Sequence, residues 1–181
     1  DFDFRDKFSK GWGTTYQVQR ANFDKVLADA AEKAGAEIRY RHVVTAVDVS
    51  GDQPVVKVRS EEGEEYTVTA RYLLDASGFA RILPRMLDLE RPSDFPVRGA
   101  LFTHIEDRIA LGDMDRQKIL ISVHPKHHDV WFWTIPFSDG RCSQGVVGTP
   151  EYLSQYKGTE VERLRAIIAE TPTLSHVLRN A

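Results

Sequence analysis

The feature that most constrains the fold is a run of short β patterns between residues 43 and 70. Residues 55–59 (VVKVR) alternate apolar and polar side chains, which is typical of a strand with one buried face. Residues 43–49 and 66–70 are also rich in β-branched side chains, and Gly51 and Gly63 lie in the turns between the three segments. The sequence therefore predicts a three-stranded antiparallel meander.

A β–α–β unit is predicted ahead of the meander. Apolar residues between 21 and 34 recur at three-, four-, seven- and eight-residue spacings, which predicts a helix that ends at Gly35. Residues 14–18 and 36–40 are predicted to form strands on either side of this helix. Residues 71–74 (RYLL) are more continuously apolar, as expected of a strand that is buried on both faces.

The second half of the chain mixes strands and helices again. Strands are predicted at residues 97–105, 119–124, 130–136 and 141–147. Helices are predicted near residues 81–87, at 161–168 and after Pro172. We therefore expect an α+β chain in two parts. Residues 1–90 would hold the β–α–β start and the meander, and residues 91–181 a second antiparallel sheet with flanking C-terminal helices.

Composition excludes several classes of function. The 24 Lys and Arg residues are outnumbered by 27 Asp and Glu residues and form no basic tract, so nucleic-acid binding has little electrostatic support. Cys142 is the single cysteine, which excludes a disulfide framework and a thiolate metal cluster. Apolar runs of about five residues are far shorter than the roughly 20 that span a bilayer, so no membrane span is predicted. No signal peptide opens the chain, and a cytoplasmic location is the default expectation.

The common catalytic templates are absent from the sequence. It contains neither a G-x-S-x-G elbow nor a G-x-G-x-x-G loop, since Gly11-Trp12-Gly13 lacks the third glycine. His127 and His128 are adjacent, whereas metal ligands on one face of a strand or helix need wider spacing. No metal site is therefore predicted.

Two segments could carry a function. Residues 75–78 (DASG) end a predicted buried strand, where small residues let a backbone approach a ligand closely, although an ordinary strand-ending turn explains them too. In residues 131–136 (WFWTIP), strand alternation places Trp131, Trp133 and Ile135 on one face. Such a face suits an aromatic ligand or a packed core.

Three segments together resemble a known family. Residues 16–27 (YQVQRANFDKVL) and 70–78 (ARYLLDASG) resemble the middle of FAD-dependent monooxygenases of the p-hydroxybenzoate hydroxylase fold. Within that group, residues 131–136 resemble the W-x-W-x-I-P signature of flavin-dependent halogenases. The resemblance extends over roughly residues 10–150.

This resemblance implies FAD as the cofactor and a small aromatic or apolar molecule as the substrate. Residues 1–90 would then be part of an FAD-binding domain, and residues 91–181 part of a substrate-binding sheet. The residues that would lie against FAD are Gln19, Arg20, Asp75, Ser77 and Gly78. The residues that would line the substrate side are Trp131, Trp133, Ile135 and Pro136.

The resemblance also implies a chemistry. In flavin-dependent halogenases a flavin hydroperoxide oxidises chloride, and a lysine delivers the electrophilic halogen to an electron-rich ring. The protein wall between flavin and substrate prevents direct hydroxylation. A flavin reductase is the implied partner that would supply reduced flavin.

Parts of the family pattern are missing from this sequence: the dinucleotide fingerprint, the segment with the catalytic lysine, and the later Gly-Asp motif. Lys7, Lys10 and Lys126 lie in no motif that would make one of them the halogen carrier, so the catalytic residues stay unknown. Because the chain starts at Asp1 and lacks the phosphate-binding loop, we expect an interior fragment that binds FAD weakly and is inactive alone.

Two other functions stay open from the sequence. Prenyl-lipid reductases of the geranylgeranyl type share the R-x-x-F-D helix and the D-x-x-G turn, although the WFWTIP segment argues against them. A non-catalytic module that binds an apolar ligand is the other alternative, and the missing nucleotide fingerprint is its best support.

Overall fold

The computed structural model describes residue 3 and residues 5–181. It separates into two compact units, Ala21–Asp94 and a second unit made of Phe95–Ala181 together with the residues before Ala21. The residues before Ala21 thus group with the second half of the chain. The division at residue 90 into an FAD-binding part and a substrate-binding part stays a prediction. No helix in the described part of the chain combines the length and apolarity needed to cross a membrane.

The first unit, residues 21–94, is built on the meander that the sequence predicts. Strands β1 (His42–Asp48), β2 (Val55–Ser60) and β3 (Glu65–Thr69) pair antiparallel in the order β1-β2-β3. Val56 and Val58 are both buried. They lie on the same side of the sheet because alternate residues of a strand face the same side. The meander prediction is confirmed.

The helices of this unit also match the sequence pattern. Helix α1 (Arg20–Lys33) covers the predicted helix, although none of its residues is buried. Helix α2 (Ile82–Met86) follows a short 3-10 turn at Gly78–Ala80.

Three predicted strands do not form in the structure. Residues 14–18, 36–40 and 71–74 carry no strand hydrogen bonds, so the β–α–β start is reduced to its helix. An extended segment becomes a strand only when a neighbour pairs with it, and among the described residues no strand pairs with these three. Tyr72 and Leu74 are more than four-fifths exposed, contrary to the burial that their apolar run predicts.

The second unit is built on a four-stranded antiparallel sheet. Its strands are β4 (Gly99–Glu106), β5 (Leu120–Val123), β6 (Trp131–Pro136) and β7 (Arg141–Gly148), in the order β4-β7-β6-β5. The four predicted strands are confirmed. Gly145 on β7 lies opposite Phe102 of β4 and opposite Trp133 of β6.

Three short helices cover one face of this sheet. They are α3 (Pro150–Leu153), α4 (Glu160–Ala169) and α5 (Pro172–Val177). Thr159 and Glu162 form a capping box that starts α4. The apolar stripe of α4 turns inward, which brings Leu164 and Ile167 into the core.

The largest hydrophobic core lies between these helices and the sheet. Each strand contributes every second residue to it, as the pleat requires. The core consists of Leu101, Val130, Phe132, Val146, Tyr152, Leu153, Leu164, Ile167 and Leu174. We call this side of the sheet the covered face. Mixed helices and antiparallel sheets confirm the predicted α+β class.

Candidate functional site

The other side of the four-stranded sheet is apolar but exposed. It carries Phe102, Ile121, Val123, Trp131 and Trp133, which we call the open face. Phe102 is 67% exposed and Ile121 is 54% exposed, values unlike those of a core. An antiparallel sheet with one solvated face normally has polar residues there. A contiguous apolar face of this kind is typical of a binding surface.

Trp133 lies at the centre of the open face. Its ring centroid is 6.2 Å from that of Trp131 and 6.1 Å from that of Phe102, distances typical of aromatic pairs. Its indole Nε1 donates a hydrogen bond of 3.0 Å to Ser143 Oγ. The three rings therefore form one aromatic surface whose central member is held at its polar edge.

The four predicted substrate-side residues divide between the two faces of β6. Trp131, Trp133 and Ile135 share the open side, as alternation predicts. Pro136 is buried on the opposite side, with Phe132 and Thr134. The structure thus brings three of the four together and places Pro136 in the packing beneath them.

Buried polar side chains form hydrogen bonds on the covered face of β6 and β7. Thr134 Oγ1 donates to Gln144 Oε1 at 2.5 Å, and both residues are fully buried. Near the start of β7, the Cys142 thiol donates to Asp107 Oδ2 at 3.3 Å. Burial raises the pKa of this thiol above its ordinary value, which keeps it neutral and unreactive.

A recess of about 330 Å³ lies beside the C-terminal end of β6. Tyr16, Gln17, Arg116 and Phe137 are among the residues that line it. Arg116 forms an ion pair with the buried Asp107 and donates to the Phe137 carbonyl at 3.2 Å. Arg116 is a candidate site residue of this recess. The sequence did not indicate it, because it lies in an irregular segment without any motif.

A second cavity, of about 390 Å³, lies on the covered face between the sheet and helices α4 and α5. Gln144, Arg165 and Arg179 are among its lining residues. Arg179 is engaged in an ion pair with Asp113 at 2.6 Å. None of the predicted site residues lines this cavity.

The Asp75–Gly78 turn is exposed and internally hydrogen-bonded. Asp75 Oδ1 accepts from the Ser77 amide at 2.7 Å, and its Oδ2 accepts from the Leu83 amide at 3.0 Å. Hydrogen bonding by the Ser77 side chain, and then by the Ser77 and Leu83 amides, lowers the pKa of the Asp75 carboxyl. Ser77 Oγ accepts from the Ile82 amide at 2.9 Å, so both side chains shape the turn.

Gly78 is the residue of this turn that suits a close backbone approach. Its φ of 56° lies in the left-handed region, and no heavy atom comes within 4 Å of an added Cβ. The open space beside this backbone fits the predicted contact with a flavin.

Gln19 and Arg20 precede the first unit along the chain, whereas Asp75, Ser77 and Gly78 belong to it. Gln19 Nε2 donates to Asp139 Oδ2 at 3.4 Å, and Arg20 is the first residue of helix α1. The five predicted flavin contacts therefore divide between the two units.

Comparisons with known proteins identify the family. The family model described as tryptophan halogenase matches residues 4–176. The tetracycline 7-halogenase of Kitasatospora aureofaciens is 32% identical over 151 residues, which cover 74% of this chain and 26% of that protein.

Two solved structures share the fold. A flavoprotein/dehydrogenase from Cytophaga hutchinsonii superposes with a TM-score of 0.86 at 42% identity, over 98% of this chain and 43% of that one. The myxobacterial chondrochloren halogenase, an FAD-dependent halogenase, gives a TM-score of 0.74 at 30% identity, over 98% of this chain and 40% of that one.

The chain thus spans about a quarter of the curated halogenase and about two fifths of the solved flavoproteins. The family model, the curated halogenase and the solved halogenase all belong to the family that the three sequence motifs resemble. The resemblance is therefore confirmed. The chain belongs to the tryptophan halogenase family, which comprises FAD-dependent halogenases and is related to FAD monooxygenases.

Proposed function

We propose that the complete protein is an FAD-dependent halogenase whose aromatic substrate lies over the open face of the four-stranded sheet. The observation that carries this proposal is an aromatic surface on a chain of the halogenase family, formed by the exposed Phe102 and Trp131 and the half-buried Trp133. A flat apolar surface binds a planar ring by stacking and displaces water from it.

The residues of this chain have separate tasks in the proposed reaction. Trp131 and Trp133 support the substrate ring and exclude water. Trp133 Nε1 is engaged by Ser143, so it is not available to the substrate. In the described part of the chain, Trp131 Nε1 has no hydrogen-bond partner, and it is the donor that we assign to a polar group of the substrate.

The flavin side is assigned to Gln19, Arg20 and the Asp75–Gly78 turn. Bound in its reduced form, FAD would donate two electrons to O₂, and the oxygen reduced in this way would be the two-electron oxidant that converts halide into an electrophilic halogen. Asp75 and Ser77 keep the turn in shape, and Gly78 leaves its backbone open to the cofactor. The proposal includes a flavin reductase as partner and a cytoplasmic location, both testable by co-purification and cell fractionation.

The test uses the complete protein with FAD, an NADH-driven flavin reductase, chloride and tryptophan as the aromatic probe. We expect a product heavier by the replacement of one hydrogen with chlorine, with its two-isotope pattern in the mass spectrum. Product that is hydroxylated only, with chloride present, contradicts halogenation and assigns the protein to the monooxygenase branch.

A matched pair of variants tests the open face in the same assay. Trp131→Ala removes part of the aromatic surface and should reduce turnover at low substrate about tenfold, the effect of one lost aromatic contact. Val43→Ala, an exposed apolar residue in the first unit, should leave turnover unchanged. Equal turnover in both variants would place the substrate elsewhere.

The prenyl-lipid reductase function is less well supported. A geranylgeranyl bacteriochlorophyll reductase-like protein from Thermoplasma acidophilum shares the fold at 21% identity, which is a likeness of fold alone. Oxygen-independent saturation of an isoprenoid double bond by the reduced protein would support the prenyl-lipid reductase function.

A further inference from the structure

We propose that Gly145 and Ser143 of β7 are positioning residues that hold the Trp133 indole flat on the open face, and that this orientation selects planar fused-ring substrates. The proposal deepens the function proposed above and rests on it for the substrate. The orientation of Trp133 can be tested without any substrate.

The contact between Trp133 and Gly145 is unusually close. The two residues are direct partners across β6 and β7. A Cβ added to Gly145 would lie 2.3, 2.4 and 2.6 Å from the indole atoms Cζ2, Cη2 and Cε2. Because three neighbouring ring atoms are almost equally distant, that carbon would lie over the face of the ring rather than at its edge. The indole therefore rests face-down on the Gly145 backbone.

Ser143 fixes the remaining freedom of the ring. It lies two residues from Gly145 on the same strand, so both face the same side of the sheet. Its hydroxyl accepts the indole N–H at 3.0 Å, which prevents the ring from sliding or tilting on the glycine. The upper face of the indole then points away from the sheet.

Stability alone does not account for this arrangement. β7 lies between β4 and β6, and glycine in a central strand weakens the strand. Trp133 does not belong to the hydrophobic core, and its neighbour Phe102 is exposed. A β-branched residue at 145 would favour the strand, but it would force the indole upward into the space above the open face.

The resulting surface has a definite shape. The flat indole of Trp133 is bordered by Trp131 at an interplanar angle of 53° and by Phe102 at 39°. The two tilted rings flank a central flat ring, which suits a planar molecule of two or more fused rings. Stacking on Trp133 provides the contact, and the flanking rings limit the width.

The experiment compares Gly145→Ala with Gly51→Ala in the complete protein. Gly51 adopts no positive φ and has nothing within 4 Å of an added Cβ, so its variant controls for the methyl group itself. In Gly145→Ala the indole must move by about 1 Å to reach van der Waals contact. We expect an altered near-UV circular dichroism of the Trp131–Trp133 pair and about 5- to 10-fold weaker binding of 2-naphthol by calorimetry.

Ser143 provides the second variant, which adds no bulk. Ser143→Ala should weaken 2-naphthol binding about threefold and change the same dichroism bands, and Ser143→Thr, which keeps the hydroxyl, should restore both. This series decides the question if Gly145→Ala does not fold.

The outcomes separate the two levels of the proposal. Unchanged near-UV dichroism in both Gly145→Ala and Ser143→Ala overturns the positioning role. Changed dichroism with unchanged naphthol affinity overturns the selection of fused rings and retains the positioning. If the unaltered protein binds no 2-naphthol, the substrate site proposed above fails, whereas the dichroism still decides how Trp133 is held.

Discussion

The two faces of the four-stranded sheet are both apolar, but only one of them is packed. On β6, Phe132 and Thr134 are completely buried under the helices, whereas Trp131 on the other side is 37% exposed. The covered face is explained by the free energy of burying its side chains. The open face gains less from burial, so burial alone does not explain why its residues are large and aromatic.

This difference shows which aromatic residues are evidence for a binding surface. An apolar side chain inside a core is expected in any folded domain, whereas an exposed cluster of them is not. The binding hypothesis therefore depends on the open face. Each of the following experiments tests whether the two faces differ as strongly as the structure indicates.

The largest expected difference between the two faces is the rate at which a cysteine thiol on each face reacts with a labelling reagent. Cys142 is buried on the covered side and burial raises its thiol pKa, so little thiolate forms at pH 8. We expect iodoacetamide to label it at least about 1,000-fold more slowly in the folded protein than in urea, because labelling requires opening of the structure. The raised pKa also means that labelling stays slow until the pH exceeds the ordinary thiol value.

A cysteine moved to the open face is the control for this measurement. In a Cys142→Ser background, Val123→Cys places the thiol where the native side chain is 51% exposed. It should react at nearly the rate of the unfolded chain. Similar protection at both positions would mean that the open face is covered.

The next contrast is in stability. Phe132→Ala removes a fully buried ring from the core and should lower the free energy of unfolding by about 3–5 kcal/mol. Trp131→Ala, one residue earlier on the same strand, should cost less, about 1–2 kcal/mol, because more than a third of this residue is already exposed and its truncation leaves no enclosed cavity. Urea unfolding followed by far-UV circular dichroism measures both, and equal losses would refute the distinction between the faces.

Period-2 alternation was sufficient to predict this sheet from the sequence. The pattern in residues 131–136 assigned Trp131 and Trp133 to one face and Phe132 and Thr134 to the other, as the structure has them. Alternation could not say which face the helices cover, because both are apolar. That choice depends on the long-range packing of α4 and α5.

Features that depend on pairing between distant segments could not be predicted. Residues 71–74 have the composition of a buried strand, but composition does not supply a hydrogen-bonded neighbour. The contact of Gly145 with Trp133 follows from the register of β6 and β7 and from a side-chain rotamer, neither of which leaves a signal in one sequence. Arg116 likewise becomes visible only through its ion pair with Asp107.

A smaller effect is expected from the buried hydrogen bond beneath the open face. Thr134→Val leaves the Gln144 side chain without its donor in a fully buried site, which should cost about 1–3 kcal/mol in the free energy of unfolding. The double variant with Gln144→Met removes both partners and should lose less than the sum of the two single variants. Strict additivity in urea unfolding would show that the two side chains do not interact.

The smallest effect concerns the helix that covers the sheet. Thr159 caps α4 by accepting the Glu162 amide, and Thr159→Ala should lower the free energy of unfolding by about 1 kcal/mol. Thr173, an exposed residue in the first turn of α5, is the matched control, since alanine is at least as favourable in a helix. Because α4 packs on the covered face only, Thr159→Ala should also leave the near-UV dichroism of Trp131 and Trp133 unchanged. A change there would show that the open face depends on the packing behind it, and the two faces would then have to be treated as one cooperative structure.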